Sequence, residues 1–301
     1  MARSDQANPR DVLGDWFVDT RCIDCDVARQ WAPELVGIDA DGLSYVARQP
    51  SSEAEASAMW RAALACPTRS IGNRSVPRPP TDPVPFELTP GVLAMGHNAR
   101  SSFGAHSYLL PRPEGNVLVD SPRYSRPLAE QVDDLGGIAH ILLSHRDDIA
   151  DANRWADRYG SRAWIHIDDS DAAPWATDRV EGDAPLPVAP GITIVPAPGH
   201  TRGSVVVHVD QSWLFTGDSL HWNRQRGTLD VFARQTWHSW DVLAESMALL
   251  SHLEVEWVFP GHGMWHRIGP EEYAGQMARL ASSMREVSRT DWSRRPDSSP
   301  A

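Results

Sequence analysis

The sequence predicts an α/β protein: a sandwich of two β-sheets with helices on the outside, preceded by a small α+β unit. Three observations predict it. From residue 85 onward, short apolar runs alternate with amphipathic helical stretches in two successive halves, the pattern of two sheets each covered by helices. The stretch VPRPPTDPVP is too rich in proline for a helix or a central strand, and reads as a stiff connector over 74–84. Finally, four apolar runs each end in a His or Asp: ILLSHRDDIAD with His145, PGHTRGS with His200, LFTGDS with Asp218 and VFPGHG with His262.

Composition narrows the function classes. The 301 residues suit one large domain or two unequal ones, and a hydrophobic share of 41% supports a sizeable core. No apolar run approaches the ~20 residues of a membrane span. The start, MARSDQANPRD, has no apolar core of a secretory leader. All 28 basic residues are Arg, against 40 acids, for a net charge of −12. Such a surface argues against binding a phosphate backbone. The three cysteines do not make a disulfide framework. The expectation is a cytoplasmic protein acting on a small molecule, with neither nucleic acid nor membrane as partner.

The first unit is expected over 12–73, after a disordered 1–11. Trp16–Val18 reads as a strand, with Ser44–Arg48 as its hairpin-like partner and Ser70–Ile71 as a last strand. Between them SSEAEASAMWRAALA is a helix, with Ser51 or Ser52 as N-cap and acids in its first turn. The second unit is expected over 85–289, with a disordered 290–301 behind it. Its strands are read at 85–95, 106–110, 116–120, 138–143, 163–167, 188–196, 204–209, 212–216 and 256–259. Its helices are read at 128–135, 150–159, 240–253 and 271–287.

Cys22 and Cys25 in the first unit form Cys-x-x-Cys, and Cys66 precedes Pro67. This framework resembles a small bacterial-type ferredoxin, in which closely spaced thiolates wrap one corner of an iron–sulfur cluster and a distant Cys-Pro closes it. The resemblance implies a ferredoxin-like domain with Cys22, Cys25 and Cys66 as cluster ligands. The family's next thiolate falls at position 28, which is Ala28. A three-iron cluster, a cluster with a non-cysteine ligand, and a domain that has lost its cluster all stay open, as do cysteines that merely fill a core.

The four strand-end ligands, in their order, resemble the metallo-β-lactamase superfamily from roughly Pro85 to Gly269. The resemblance implies an αββα sandwich and a divalent-metal centre. The family motif H-x-H-x-D-H aligns with His145, Asp147, Ile149 and Ala150, so the second imidazole is a carboxylate here and the last pair is apolar. His200 matches the third imidazole, Asp218 the bridging carboxylate and His262 the last imidazole. A first site of His145, Asp147 and His200, with Asp218 completing it, is implied; three protein ligands plus water leave the open position that a catalytic metal needs. The second site keeps Asp218 and His262, with Asp148 or Asp151 as compensating acids; the sequence does not say which acid turns inward. An atypical, mononuclear or asymmetric zinc site is expected, with iron as the alternative metal. His106, His221, Trp222 and His238 are expected at the substrate cleft, and Trp237 and Trp240 stand near them in sequence. His97, His140, His166, His208, His252 and His266 read as structural or surface residues.

The leading functional reading is a metal-dependent hydrolase. A metal-bound hydroxide would attack an ester, thioester, lactone or amide carbonyl, with His145, Asp147 and Asp218 as the catalytic set, as the glyoxalase II and lactonase branches imply. An iron-dependent oxidoreductase of flavodiiron type, served by the ferredoxin-like domain, is the first alternative, because that branch also carries a carboxylate in place of the second histidine. A non-catalytic binding protein on a degenerate metal site is the second.

Overall fold

Val205–Val209 shows how the sandwich is built. Val205, Val207 and Val209 join the layer between two sheets, while Val206 points outward into a separate cluster under helices. Alternation of side chains along one strand thus feeds two cores at once. The computed structural model describes residues 2–294.

The N-terminal unit comprises β1 (Trp16–Val18), α1 (Val27–Trp31), β2 (Val36–Ile38), β3 (Ser44–Val46), α2 (Glu53–Ala65) and β4 (Ile71–Asn73). Strand β1 pairs antiparallel with β4, and β2 pairs with β3. The partner of Ser44–Val46 is therefore Val36–Ile38, not Trp16–Val18 as the sequence suggested; the Asp39–Leu43 turn supplies a nearer return. Helix α2 starts where Ser52 accepts the Glu55 N–H, and it buries Met59, Ala62 and Ala65.

A seven-stranded sheet runs in the order β11 (Asp178–Val180), β10 (Arg162–His166), β9 (His140–Leu142), β8 (Val117–Val119), β7 (Tyr108–Leu110), β6 (Val92–Ala94), β5 (Phe86–Thr89). The span 85–95, read as one strand, is a hairpin of β5 and β6. Outside this sheet lie α3 (Arg126–Asp134) and α4 (Ala152–Tyr159), sharing a core of Leu118, Leu128, Val132, Ile141 and Trp155. The second sheet orders β12 (Leu186–Ala189), β13 (Ile192–Pro196), β14 (Val205–Val209), β15 (Trp213–Gly217), β18 (Trp257–Pro260) and β19 (His266–Arg267). The hairpin β16 (His221–Asn223) and β17 (Thr228–Asp230) separates β15 from α5 (Trp240–Leu250). Helices α5 and α6 (Pro270–Glu286) cover the outer face, burying Leu243, Met247, Tyr273 and Met277, and a short α7 (Arg289–Trp292) follows. Helix, sheet, sheet, helix is the αββα order that the sequence predicts. No helix among the described residues is long and apolar enough to cross a membrane.

Residues 2–11 and 290–294 depart from the expectation of disorder. Asp11 accepts the N–H groups of Val18 and Val46, and Asn8 donates its backbone N–H to Val18. Polar residues 2–11 are thus occupied in satisfying strand-edge backbone groups. At the other end Trp292 is buried and donates its indole N–H to Asp230. Residues 295–301 of the expected tail lie outside the described residues.

The N-terminal unit packs on the open side of the sandwich. Trp31 meets Phe86 of β5 and Trp265 beside β19, and the Arg61 guanidinium lies 4.2 Å over the Phe86 ring. Polar contacts join the same two regions: Gln30 accepts a short hydrogen bond from His106, and Arg224 pairs with Asp26.

Candidate metal centre

Four loops at one end of the sandwich carry the polar residues that face each other. The segment after β9 supplies His145, Asp147 and Asp148, the turn between β13 and β14 supplies His200, the end of β15 supplies Asp218, and the loop after β18 supplies His262. Asp218 Oδ2 lies 3.8 Å from His145 Nε2, 3.7 Å from His200 Nε2 and 3.9 Å from His262 Nε2. Asp147 Oδ2 lies 3.9 Å from His145 Nε2 and 3.7 Å from His200 Nε2. None of these is a hydrogen bond. His145 Nε2, His200 Nε2, Asp148 Oδ2 and Asp218 Oδ1 are buried without a hydrogen-bond partner. Two overlapping groups could each surround an ion: His145, Asp147 and His200, and His145, Asp148 and Asp218.

Burial and neighbouring charge set the protonation preferences. Burial first, then the His200 imidazole, push His145 down to about 4, so its ring is neutral at pH 7. For Asp218 burial works upward, but His262, His145 and His200 together outweigh it and hold the carboxyl below its usual range. The His200 imidazole does the same for Asp147. Burial, with Asp218 close by, pushes Asp148 well up.

Neighbours fix these groups. His145 Nδ1 is 2.9 Å from Ser144 Oγ, and with Nδ1–H donating, the Nε2 lone pair faces the centre. Gly217 makes the seat: its φ of +48° is left-handed, and a Cβ there would fall 2.4 Å from Ser144 Oγ. A Cβ on Gly261 would fall 2.8 Å from Asp148 Oδ2 and 2.9 Å from Asp218 Oδ1, so a side chain at that position would crowd both carboxylates. Asp169 clamps two loops together. Its carboxylate accepts the Arg146 N–H, the Thr201 hydroxyl at 2.6 Å and the Gly203 N–H. Asp120 accepts the Ser144 N–H, and burial raises it to about 7.

The sequence reading missed Asp120, Ser144 and Asp169. Asp120 ends the apolar run NVLVD and Asp169 closely follows the strand run AWIHI, signals of the same kind as the one that marked His145. Some expected site residues stand elsewhere. Asp151 is turned away: its Oδ2 accepts the Tyr124 N–H at 2.7 Å, ahead of α4. His106 does not line a cleft. It is buried, hydrogen-bonded to Asn98 and Gln30, and held down to about 3 by burial. Trp222 stacks on His266 at 3.5 Å, whereas His221, buried against Phe232, stays near the centre, within electrostatic reach of Asp218 and His262. Trp240 sits in the helical core. His238 does line an open cleft of about 500 Å³ beside the centre, with Asp147, Arg146, Arg202 and the exposed Trp237.

A profile described as "Metallo-beta-lactamase superfamily" matches residues 95–271, more than half of the chain. The chain belongs to the metallo-β-lactamase superfamily. A second profile, "4Fe-4S single cluster domain of Ferredoxin I", matches residues 18–73 and supports the ferredoxin-like character of the N-terminal unit. Among solved structures, the DIM-1 metallo-beta-lactamase superimposes with a TM-score of 0.52 at 18% identity, covering 66% of this chain and 95% of that one. ETHE1 from Myxococcus xanthus gives 0.47 at 17% identity, over 67% and 87%. Among curated proteins, the uncharacterized protein YmaE of Bacillus subtilis (strain 168) is 27% identical over 127 residues, 40% of this chain; the match spans 46% of that protein's length. For this superfamily member the fold implies a divalent metal, and its buried, unpaired His and Asp atoms fit one.

Proposed function

We propose that the protein is a metal-dependent hydrolase acting on an ester, thioester, lactone or amide carbonyl of a small molecule. One observation carries the reading: nitrogen and oxygen atoms of His145, Asp147, His200 and Asp218 face one another at 3.7–3.9 Å with no hydrogen bonds between them. Donors about 2.1 Å from a tetrahedral ion stand roughly 3.4 Å apart, so a zinc-sized cation accounts for the spacing with a small contraction. His145, Asp147 and His200 would hold the first ion, with its fourth position open to water beside Asp218, and Asp148, Asp218 and His262 would hold a second, weaker one. Bound there, the ion supplies Lewis acidity and an acidified water.

The chain's own groups do the rest. Asp218 Oδ1, buried and without a partner, is available to orient the nucleophile and to take its proton. Ser144 and Asp169 hold the His145 and His200 loops. The adjoining cleft offers Trp237 to an apolar part of the substrate and Arg146 and Arg202 to a polar one. Both arginines are paired with aspartates, so their pull on an anion is moderated. The test is hydrolysis of a panel of esters, thioesters and lactones by metal-loaded protein. Turnover that disappears on chelation and returns with zinc supports the reading; an inert metal-loaded protein across the panel overturns it.

A second reading has its own observation. Cys25 lies against Gly104, and the neighbouring Phe103 ring stands 6.2 Å from the His262 ring. Asp147 also gives the centre a hard oxygen donor suited to iron. An iron-dependent redox role follows if the purified protein carries iron rather than zinc at this centre.

A further inference from the structure

Where the N-terminal unit meets the sandwich decides what it can do there. Its cysteines serve their own unit. Cys22, Cys25 and Cys66 are free thiols that line an enclosed pocket with Ala28. The pocket has room for about one water, which does not fit an iron–sulfur cluster. Ser44 N–H donates to Cys22 Sγ at 3.4 Å, and Ser70 N–H to Cys66 Sγ at 3.3 Å. The polar contacts with the sandwich come instead from α1, whose five residues are all buried. A buried helix that carries Arg29 and Gln30 needs hydrogen-bond partners, and it finds several of them across the boundary.

Those partners form one directed chain of hydrogen bonds. Asn98 Nδ2 donates to the Gly104 carbonyl at 2.7 Å, so His106 Nδ1, 3.2 Å from the same nitrogen, must accept. The ring proton is therefore on Nε2, and it goes to Gln30 Oε1. Gln30 Nε2 donates to Asp26 at 3.2 Å. Asp26 pairs with Arg224 of the β16–β17 turn, whose guanidinium also donates to the Arg29 carbonyl at 2.8 Å. This chain meets the His262 loop twice. The His106 backbone N–H donates to the Gly261 carbonyl at 2.7 Å, and the Gly261 N–H to the Gly217 carbonyl at 2.8 Å, which sets the backbone just before His262 and just before Asp218. From the other side, the hairpin that carries Arg224 bridges Trp222 to Met264, and a Cβ on Gly263 would fall 2.8 Å from His221 Cβ. Trp31 adds an edge-on contact with Trp265 at 5.0 Å.

His262 needs such support. It stands between Gly261 and Gly263, the latter at a left-handed φ of 91°, and glycines on both sides leave its backbone free to aim the imidazole in many directions. The other half of the centre has supports inside the sandwich: Ser144 for the His145 ring, and Asp169 for the His145 and His200 loops. We propose that α1 of the N-terminal unit, through Gln30 and Asp26, positions the second ion, the one among Asp148, Asp218 and His262, and leaves the first ion unaffected. Gln30 is a positioning residue: it acts on His262 through His106 and Gly261. The inference rests on the metal centre of the proposed function.

The experiment is a cobalt(II) titration of the metal-free full chain, read by visible absorption against a competing chelator, with urea denaturation of each variant alongside. Wild type is expected to take up two ions in two steps. Gln30→Leu leaves the His106 N–H without its acceptor; it is expected to keep the first step at wild-type affinity and to weaken the second about 10–100-fold. Arg224→Leu, at a partly exposed side chain, is expected to weaken the second step by a smaller factor, and it decides the matter if Gln30→Leu does not fold. Met59→Ala, a buried change in α2 of the same unit, is expected to lower the urea midpoint and to leave both steps unchanged. Equal weakening of both steps in Gln30→Leu and Arg224→Leu, or no change in either, overturns the proposal; so does a second step weakened as much by Met59→Ala. A wild type that binds one ion only overturns it and leaves the hydrolase reading standing, whereas a wild type that binds none overturns both.

Discussion

The His/Asp centre and the three-cysteine cavity are two ligand-lined pockets in one chain, and they answer the loss of a family ligand in opposite ways. Around the centre, the motif pair at positions 149 and 150 is apolar, but Asp148 swings a buried carboxylate toward Asp218, one residue early. The centre ends with six candidate donors, more than one ion needs. In the cavity, position 28 is a methyl group and no lining side chain takes its place. The difference teaches that a carboxylate on a loop can be re-aimed by a local backbone turn. Ala150 takes a left-handed φ of 42°, and the chain needs that turn before α4 begins. A thiolate corner set by Cys-x-x-Cys geometry has no neighbouring residue to shift in.

The largest effect expected is at the centre. His200→Ala should lower hydrolytic kcat/KM by about 10³-fold or more and abolish tight zinc retention. It should leave the far-ultraviolet circular dichroism of the chain unchanged. Elemental analysis, steady-state kinetics and circular dichroism check these outcomes; a parallel loss of folded signal would show that His200 serves the fold rather than the metal.

Next comes the joint between them. Folded His106 titrates near 3 and unfolded His near 6.5, because burial disfavours its charged form. The stability it contributes is complete above 6.5 and is lost as pH falls from there through 3. Around pH 4.5 that loss is roughly 3 kcal/mol. Urea midpoints at pH 7.5 and about 4.5 should diverge for wild type and diverge less for His106→Gln, since His97, His145 and His221 are also held down to about 4 by burial. An unchanged slope in the variant would remove His106 from the account.

A smaller effect is expected at Asp169, which touches no proposed ligand atom but clamps the His145 and His200 loops. Asp169→Asn should weaken zinc about 10–100-fold, read by chelator competition. The smallest contrast separates two acids. Asp148→Asn should remove the weaker second ion and leave the first. Asp151→Ala should leave both and cost about 1 kcal/mol through its lost bond to Tyr124. Metal stoichiometry for both variants decides it.

The sheets and their ligand-bearing ends were legible because short apolar runs such as Val205–Val209 and Ile141–Leu143 stop at a polar residue. Which acid turned inward was not legible, since that depends on where α4 starts, and a single left-handed residue sets the start. His106 was misread for a different reason: its partner Gln30 is 76 positions away, and no local pattern announces a contact of that range. Asp11 looked like part of a solvated tail because acids that satisfy strand-edge N–H groups look the same in sequence as acids facing water. The cysteine cavity was half legible. The spacing gave the framework, while the N–H groups of Ser44 and Ser70 needed coordinates.

The central claim is that a divalent ion sits among His145, Asp147, His200 and Asp218. Metal analysis of freshly purified protein beside a His145→Ala variant tests it most directly. The account predicts at least one zinc-sized ion per wild-type chain, resistant to dialysis, and its loss in the variant. A wild-type protein that holds no metal, or a variant that retains it fully, would contradict the account.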